Sequence, residues 1–275
     1  MISGKAKLAG IMGWPVSHSL SPRLHNEWLR RYGIDGAYVP LPVRPDDLAA
    51  ALRTLPKLGF QGCNLTIPHK ETALQIVNSL DDTARRIGAV NTIVVHPDGQ
   101  LEGRNTDAFG FAENLRQGGF TGAAQALVLG AGGAARAVIV ALQDLGVSKI
   151  LLANRTPARA EALAQDFPFI SVIAWEQIAA HLSATNLLIN TTSLGMAGQP
   201  DLVIDLLPLP PTALVTDIVY TPLQTGLLQQ AAARNLRTID GLGMLLHQAR
   251  AGFKAWFGQD PVVDEELKKD LGFGI

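Results

Sequence analysis

The 275-residue chain has little of what marks several large protein classes. It carries one cysteine, Cys63, which excludes an internal disulfide and any cysteine-based metal cluster. A free, buried thiol in a reducing compartment is the expected status of Cys63. Neither sign of charge dominates: 23 lysines and arginines face 24 aspartates and glutamates. The resulting net charge of −1 gives no field suited to nucleic acid or an anionic membrane. No apolar run reaches the length of a membrane span. The first residues, Met1 to Lys7, lack the long apolar segment and cleavage site of a signal peptide, so a cytoplasmic protein is expected. The six histidines show no metal-ligand spacing, and no Ser-His-Asp constellation is supported, so no metal is expected. Oligomeric state is not legible, and a homodimer is compatible with the chain.

What is present is globular. Hydrophobic residues at 47% with 17% charged residues can supply sizeable cores, and the length suggests two modest domains. From about 120 to 240, short apolar strands alternate with helices, at 126–129, 149–153, 169–173, 186–190, 213–218 and 237–239. That alternation predicts crossover helices on a mostly parallel sheet. The first hundred residues also alternate, with more loops. Strands are expected at 7–12, 37–41, 60–65 and 90–95, and helices at 22–31, 46–54 and 69–78. Asp98-Gly99 suggests a turn into a short strand before Arg104. A helix from Asp107 to the glycines Gly118-Gly119 would bridge the halves. The segments 243–257 and 262–271 read as helices that pack back on the first domain. The expected division is 1–106 with 243–275, a bridging helix at 107–119, and a second domain at 120–242.

The most informative stretch runs from Leu127 to Ala137. An apolar strand enters the glycine turn Gly130-Ala131-Gly132-Gly133-Ala134 and passes straight into a helix. Such a turn lets backbone approach a pyrophosphate whose charge sits at the helix N-terminus. The next strand ends in Asn154-Arg155-Thr156, where an NAD site usually shows an acid about 20 residues on. An acid would repel a ribose 2′-phosphate and an arginine attracts it, so the ending argues for NADP(H). Arg159, one helical turn on, could add a second cation. The plainer reading makes Arg155 a solvated surface residue.

Polar groups cluster in the first domain where the core pattern does not need them. In Ser17-His18-Ser19-Leu20-Ser21-Pro22, Ser21 reads as the cap of a helix starting at Pro22, whereas Ser19 is left over and suits a hydroxylated or anionic ligand. In Asn64-Leu65-Thr66-Ile67-Pro68-His69-Lys70, Lys70 would fall in the first turn of the 69–78 helix. A cation there opposes the helix dipole, a setting that suits proton transfer, although a plain surface lysine is the alternative. Gly88-Ala89-Val90-Asn91-Thr92 and Gly103-Arg104-Asn105-Thr106-Asp107 follow. Asp107 can cap the bridging helix, pair with and orient Lys70, or do both. Asn190 to Met196, Asp217 to Tyr220 and Asp240 to Gln248 are loops after strands, placed where open parallel sheets bind ligands.

Taken together, and in this order, these segments resemble the shikimate dehydrogenase family over almost the whole chain. The resemblance implies an N-terminal α/β substrate domain and a C-terminal Rossmann-like, doubly wound dinucleotide domain around a cleft. It implies reversible, NADPH-dependent reduction of 3-dehydroshikimate to shikimate in aromatic amino-acid biosynthesis. Lys70 and Asp107 match the family's catalytic pair. Ser19, Ser21, Thr66, Asn91, Tyr220 and Gln248 match positions that bind the substrate's hydroxyls or carboxylate. Gly130, Ala131, Gly132, Gly133, Ala134, Asn154, Arg155, Thr156, Arg159, Ile218 and Gly241 match the cofactor side. Ala108 and Ala135 stand where many members have glycine, and alanine is tolerated where the helix packs on the strand. Two other readings are a quinate/shikimate relative that uses NAD and a non-catalytic NADP-binding sensor.

Overall fold

The computed structural model describes residues 2–273. Met1 and residues 274 and 275, which the domain ranges above include, lie outside the described residues. The chain divides into two compact units, Met1–Thr106 with Leu246–Ile275, and Asp107–Leu245. No helix among the described residues is long and apolar enough to cross a membrane.

The second unit is a parallel sheet of six strands: β7 (Gln125–Leu129), β8 (Lys149–Ala153), β9 (Ile170–Ile173), β10 (Leu187–Asn190), β11 (Leu214–Asp217) and β12 (Arg237–Ile239). Their spatial order is β9-β8-β7-β10-β11-β12, with every pairing parallel. That is the doubly wound order, whose crevice opens at the carboxyl ends of the two strands where the winding reverses, here β7 and β10. All five residues of β7 are buried, as the unbroken apolar run Ala126–Leu129 requires for a strand covered on both faces. Leu127, Leu151, Leu188 and Val215 from four strands pack with Leu202, Leu206 and Leu227 in one core. Each fully buried leucine contributes about 1.5–3 kcal/mol. The helices are α4 (Asp107–Gln117), α5 (Gly133–Asp144), α6 (Pro157–Asp166), α7 (Ile178–Leu182) and α8 (Gly226–Ala233).

The first unit has a mixed sheet of β1 (Lys7–Gly13), β2 (Gly36–Pro42), β3 (Phe60–Leu65), β4 (Ser79–Leu80), β5 (Thr92–Val95) and β6 (Leu101–Arg104), in the order β2-β1-β3-β5-β6-β4. β2, β1 and β3 run parallel, whereas β5 is antiparallel to both β3 and β6. Its helices are α1 (Ser21–Arg31), α2 (Leu48–Thr54), α3 (Asp82–Ile87), most of α9 (Leu242–Phe257) and α10 (Glu265–Asp270). Aromatic packing fixes α9 in this unit: Trp28, Phe253 and Trp256 surround His25, which stacks on Tyr38 at 4.1 Å. Trp256 Nε1 donates to the Ile93 carbonyl at 2.9 Å, and Trp28 Nε1 to the Val262 carbonyl at 3.2 Å.

One predicted helix does not form. The 69–78 segment is a turn followed by a 3-10 stretch over Thr72–Gln75, then β4. Its backbone groups are claimed from outside: the Lys70 carbonyl accepts from Val90 N at 2.8 Å and Asn78 N donates to the Leu101 carbonyl at 2.9 Å. Asn78 Oδ1 also accepts from Leu101 N at 2.9 Å. A ten-residue helix is marginal alone, so these long-range partners win. The dipole argument for Lys70 therefore loses its basis.

Candidate active site

In the second unit, β7 delivers the chain to Gly130, whose φ of +104° is a region that side chains avoid, and whose Cβ would lie 2.8 Å from Thr191 Oγ1. Thr191 spans the switch point by donating from Oγ1 to the Leu129 carbonyl at 2.7 Å. α5 then starts with Gly132 at its N-cap, without a side-chain cap and without an acid in its first turn. A Cβ at Gly132 or Gly133 would meet nothing within 4 Å. The helix N-terminus thus carries partial positive charge that no side chain answers, facing open space. Asn154 ties this turn to the end of β8: its Oδ1 accepts from Ala131 N at 3.2 Å and its Nδ2 donates to the Thr156 carbonyl at 2.8 Å. Arg155 and Arg159 are exposed, and neither pairs with an acid among the described residues. Arg136, on the same helix as the turn, is already engaged by Asp166 at 2.7 Å. An anion-receptive turn flanked by two uncommitted guanidiniums fits a dinucleotide with a further phosphate on its ribose.

The loops after β10 and β11 are held by one buried carboxylate. Asp217 Oδ1 accepts from Asn190 Nδ2 and from Val219 N, both at 3.0 Å, and its Oδ2 from Thr225 Oγ1 at 2.8 Å. Burial pushes this carboxyl above its usual range, while the hydrogen bonds from Val219, Asn190 and Thr225 pull the other way. The anchored segment carries Ile218 and Tyr220, both half-buried, and burial raises the Tyr220 phenol. Gly241 lies against it so closely that a Cβ would stand 2.2 Å from the Ile218 carbonyl oxygen. The structure thus brings Ile218 and Gly241 together, and Gly130, Ala131 and Asn154 together.

In the first unit, Thr66 follows β3, and its N–H donates to the Met12 carbonyl at 2.9 Å. Half-buried Lys70 lies on the strap beyond it, which buried His69 pins through a 2.9 Å bond from Nε2 to the Val43 carbonyl. The strap is tied to the Asn91 segment, because Val90 N donates to the Lys70 carbonyl and Leu65 N to the Asn91 carbonyl, both at 2.8 Å. Thr106 N donates to Asn91 Oδ1 at 2.9 Å, and Thr106 Oγ1 to Gln248 Oε1 at 3.4 Å. Lys70, Thr66, Asn91 and Gln248 are therefore joined by direct bonds through their neighbours.

Ser21 corrects its expected role. It is the first residue of α1, whose N-cap is Leu20 with no side-chain cap. The Ser21 backbone N–H donates instead to Ser19 Oγ at 3.2 Å. Tyr38, whose Oη donates to Asn64 Oδ1 at 2.6 Å, is buried, and its phenol is raised well above the ordinary range, chiefly by desolvation. Tyr38, Asn64, Thr92 and Thr106 are polar members of this site that the sequence reading gave no role. Asn64, a buried amide within the strand Phe60–Leu65, was the one legible signal. Asp107 opens α4 as a buried acid in its first turn, and with Tyr220 it belongs to the second unit.

Comparison with known proteins places this architecture. Residues 11–93 match the shikimate dehydrogenase substrate binding domain, residues 114–197 the shikimate/quinate 5-dehydrogenase family, and residues 241–264 the shikimate 5′-dehydrogenase C-terminal domain. The shikimate dehydrogenase (NADP(+)) of Paramagnetospirillum magneticum is 57% identical over 271 residues, covering 97% of this chain and 98% of the relative. The Thermus thermophilus shikimate 5-dehydrogenase solved with NADP(H) and shikimate superposes with a TM-score of 0.86 at 36% identity, covering 97% of this chain and 98% of that one. Quinate dehydrogenase from Corynebacterium glutamicum, solved with NAD, superposes with a TM-score of 0.90 at 29% identity, covering 98% of both chains. On fold, sequence and extent together, this chain belongs to the shikimate dehydrogenase family.

Proposed function

We propose that this chain catalyses the reversible, NADPH-dependent reduction of 3-dehydroshikimate to shikimate in the cytoplasm, as a step of aromatic amino-acid biosynthesis. The observation that carries the reading is that the Lys70 strap is hydrogen-bonded to the Asn91 segment and, through Thr106, to Gln248. Ser19, Ser21, Thr66, Asn91 and Gln248 of the first unit offer donors and acceptors to a small hydroxylated acid without burying many charges.

NADPH, when bound, supplies the hydride to the substrate's C3. Gly130, Ala131, Gly132, Gly133 and Ala134 form the turn that would hold its pyrophosphate at the start of α5. Asn154, Arg155, Thr156 and Arg159 would receive the adenosine end, the two arginines taking the 2′-phosphate. Ile218 and Gly241 present closely packed backbone for the nicotinamide end. Lys70 donates a proton to the C3 oxygen in the reductive direction, and its amine recovers that proton in the reverse. Asp107 orients the Lys70 ammonium and accepts from a substrate hydroxyl. No group is needed to generate a nucleophile, because the reaction moves one hydride and one proton.

Replacement of Lys70 tests this assignment. Lys70→Ala is expected to lower kcat at least ~100-fold, the scale of a lost general acid–base group, with shikimate binding changed much less. Near wild-type kcat in this variant would remove Lys70 from the chemistry.

A further inference from the structure

The buried hydrogen bonds of the first unit have a direction that can be read from groups able only to donate or only to accept. The Asn91 backbone carbonyl can only accept, and Asn64 Nδ2 lies 3.1 Å from it, which fixes the Asn64 amide. Its Oδ1 then accepts from Tyr38 Oη at 2.6 Å. Asn64 Nδ2 also lies 3.1 Å from Thr92 Oγ1, which must accept from it. The one Thr92 proton is thereby aimed at Asn91 Oδ1, 2.9 Å away. The same oxygen accepts from the Thr106 backbone N–H at 2.9 Å, so both of its lone pairs are engaged. Asn64, Asn91, Thr92 and Thr106 are all at most 6% exposed, so water does not substitute for these partners.

We infer that Thr92 is a positioning residue for substrate recognition: its hydroxyl completes the relay Tyr38–Asn64–Thr92–Asn91 and, together with the Thr106 N–H, holds the Asn91 amide with its oxygen inward. An amide held in this way meets a substrate oxygen with its N–H and not with its carbonyl. The relay therefore selects a ligand that presents an accepting oxygen to Asn91. The inference rests on the reading of Asn91 as a substrate-binding residue.

The test is steady-state kinetics of Thr92→Val, Thr92→Ser, Thr92→Cys and Asn91→Ala with shikimate at saturating NADP. Thr92→Val keeps the shape and removes the donor, and is expected to raise the KM for shikimate about tenfold, the effect of one hydrogen bond misdirected in a buried site. The KM for NADP and kcat are expected to stay within about twofold. Thr92→Ser restores the donor and is expected to return KM to within about twofold of wild type. Thr92→Cys, a weak donor of similar size, should fall between them and supplies the reading if the valine variant does not fold. If Asn91→Ala raises KM while the valine and cysteine variants bind shikimate like wild type, Thr92 is structural and the inference is overturned. If Asn91→Ala itself leaves KM unchanged, the placement of substrate against Asn91 is what fails.

Discussion

Arg155, just after β8, and Arg159, in the first turn of α6, are exposed, and neither meets an acid among the described residues. An arginine pair without an internal partner costs little to present to a dianion, and a 2′-phosphate offers the matching charge and geometry. Reversing the charge at one of them should therefore act on the choice between cofactors more than on the chemistry. Arg155→Asp is expected to lower the ratio of kcat/KM with NADP to that with NAD by at least about 100-fold, through a lost charge-assisted contact and a new repulsion. Unchanged relative kcat/KM would show that Arg155 is only a solvated surface residue. Residues at this scale differ in how legible they were. Lys70, Asn91 and Arg155 stand in motifs that read locally along the chain. Thr92 closes the same motif as Asn91, but its partner Asn64 is not visible from it, and Tyr38 looks like one more core residue of a half-buried strand. The bond from Tyr38 to Asn64 joins residues 26 positions apart, and that from Asn64 to Thr92 joins residues 28 apart.

Among elements, the parallel sheet of the second unit was legible almost strand for strand, since most of its strands are short, largely apolar runs bounded by turn residues. The expected strands at 149–153 and 237–239 match β8 and β12, and the helix after the glycine turn matches α5. The region 69–87 was not legible, for a physical reason. β4 has two residues and α3 has six, so neither carries a detectable period. Both depend on partners elsewhere: Ser79 and Leu80 pair with Glu102 and Gly103 of β6. The α3 helix is held by its cap, Asp81, whose Oδ1 accepts from Ala84 N at 2.6 Å. The strap that presents Lys70 is thus shaped by tertiary hydrogen bonds, and a local helix propensity is overridden there.

For the whole molecule, two buried or paired groups set the response to acid. Burial holds the His25 imidazole down to about 3 from an ordinary 6.5, and neither ring nitrogen has a hydrogen-bond partner among the described residues. The unfolded chain therefore takes up a proton below pH 6.5 that the folded chain refuses, so stability falls as pH falls through the window from 6.5 to 3. Glu27 is held near 2 from 4.5, first by its hydrogen bond from Arg30, so its contribution is present above 4.5 and is lost only towards 2. Asp81 and Asp217, raised by burial, run the other way and offset part of the loss at low pH. Between pH 6.5 and 5 His25 is expected to cost about 2 kcal/mol, with Asp81 and Asp217 acting in the opposite direction. Thermal midpoints should fall over that range, and His25→Phe, which keeps the ring against Tyr38, should flatten the slope. An equal slope in the variant would place the acid sensitivity elsewhere. The central claim, NADP-linked turnover of shikimate, is tested most directly by absorbance at 340 nm with shikimate or quinate, each offered NADP and then NAD. The account predicts rapid reduction of NADP with shikimate and much slower rates for the other three pairs. Comparable rates with NAD or quinate would contradict the cofactor and substrate assignment, and tight NADPH binding without turnover of any pair would contradict the enzyme.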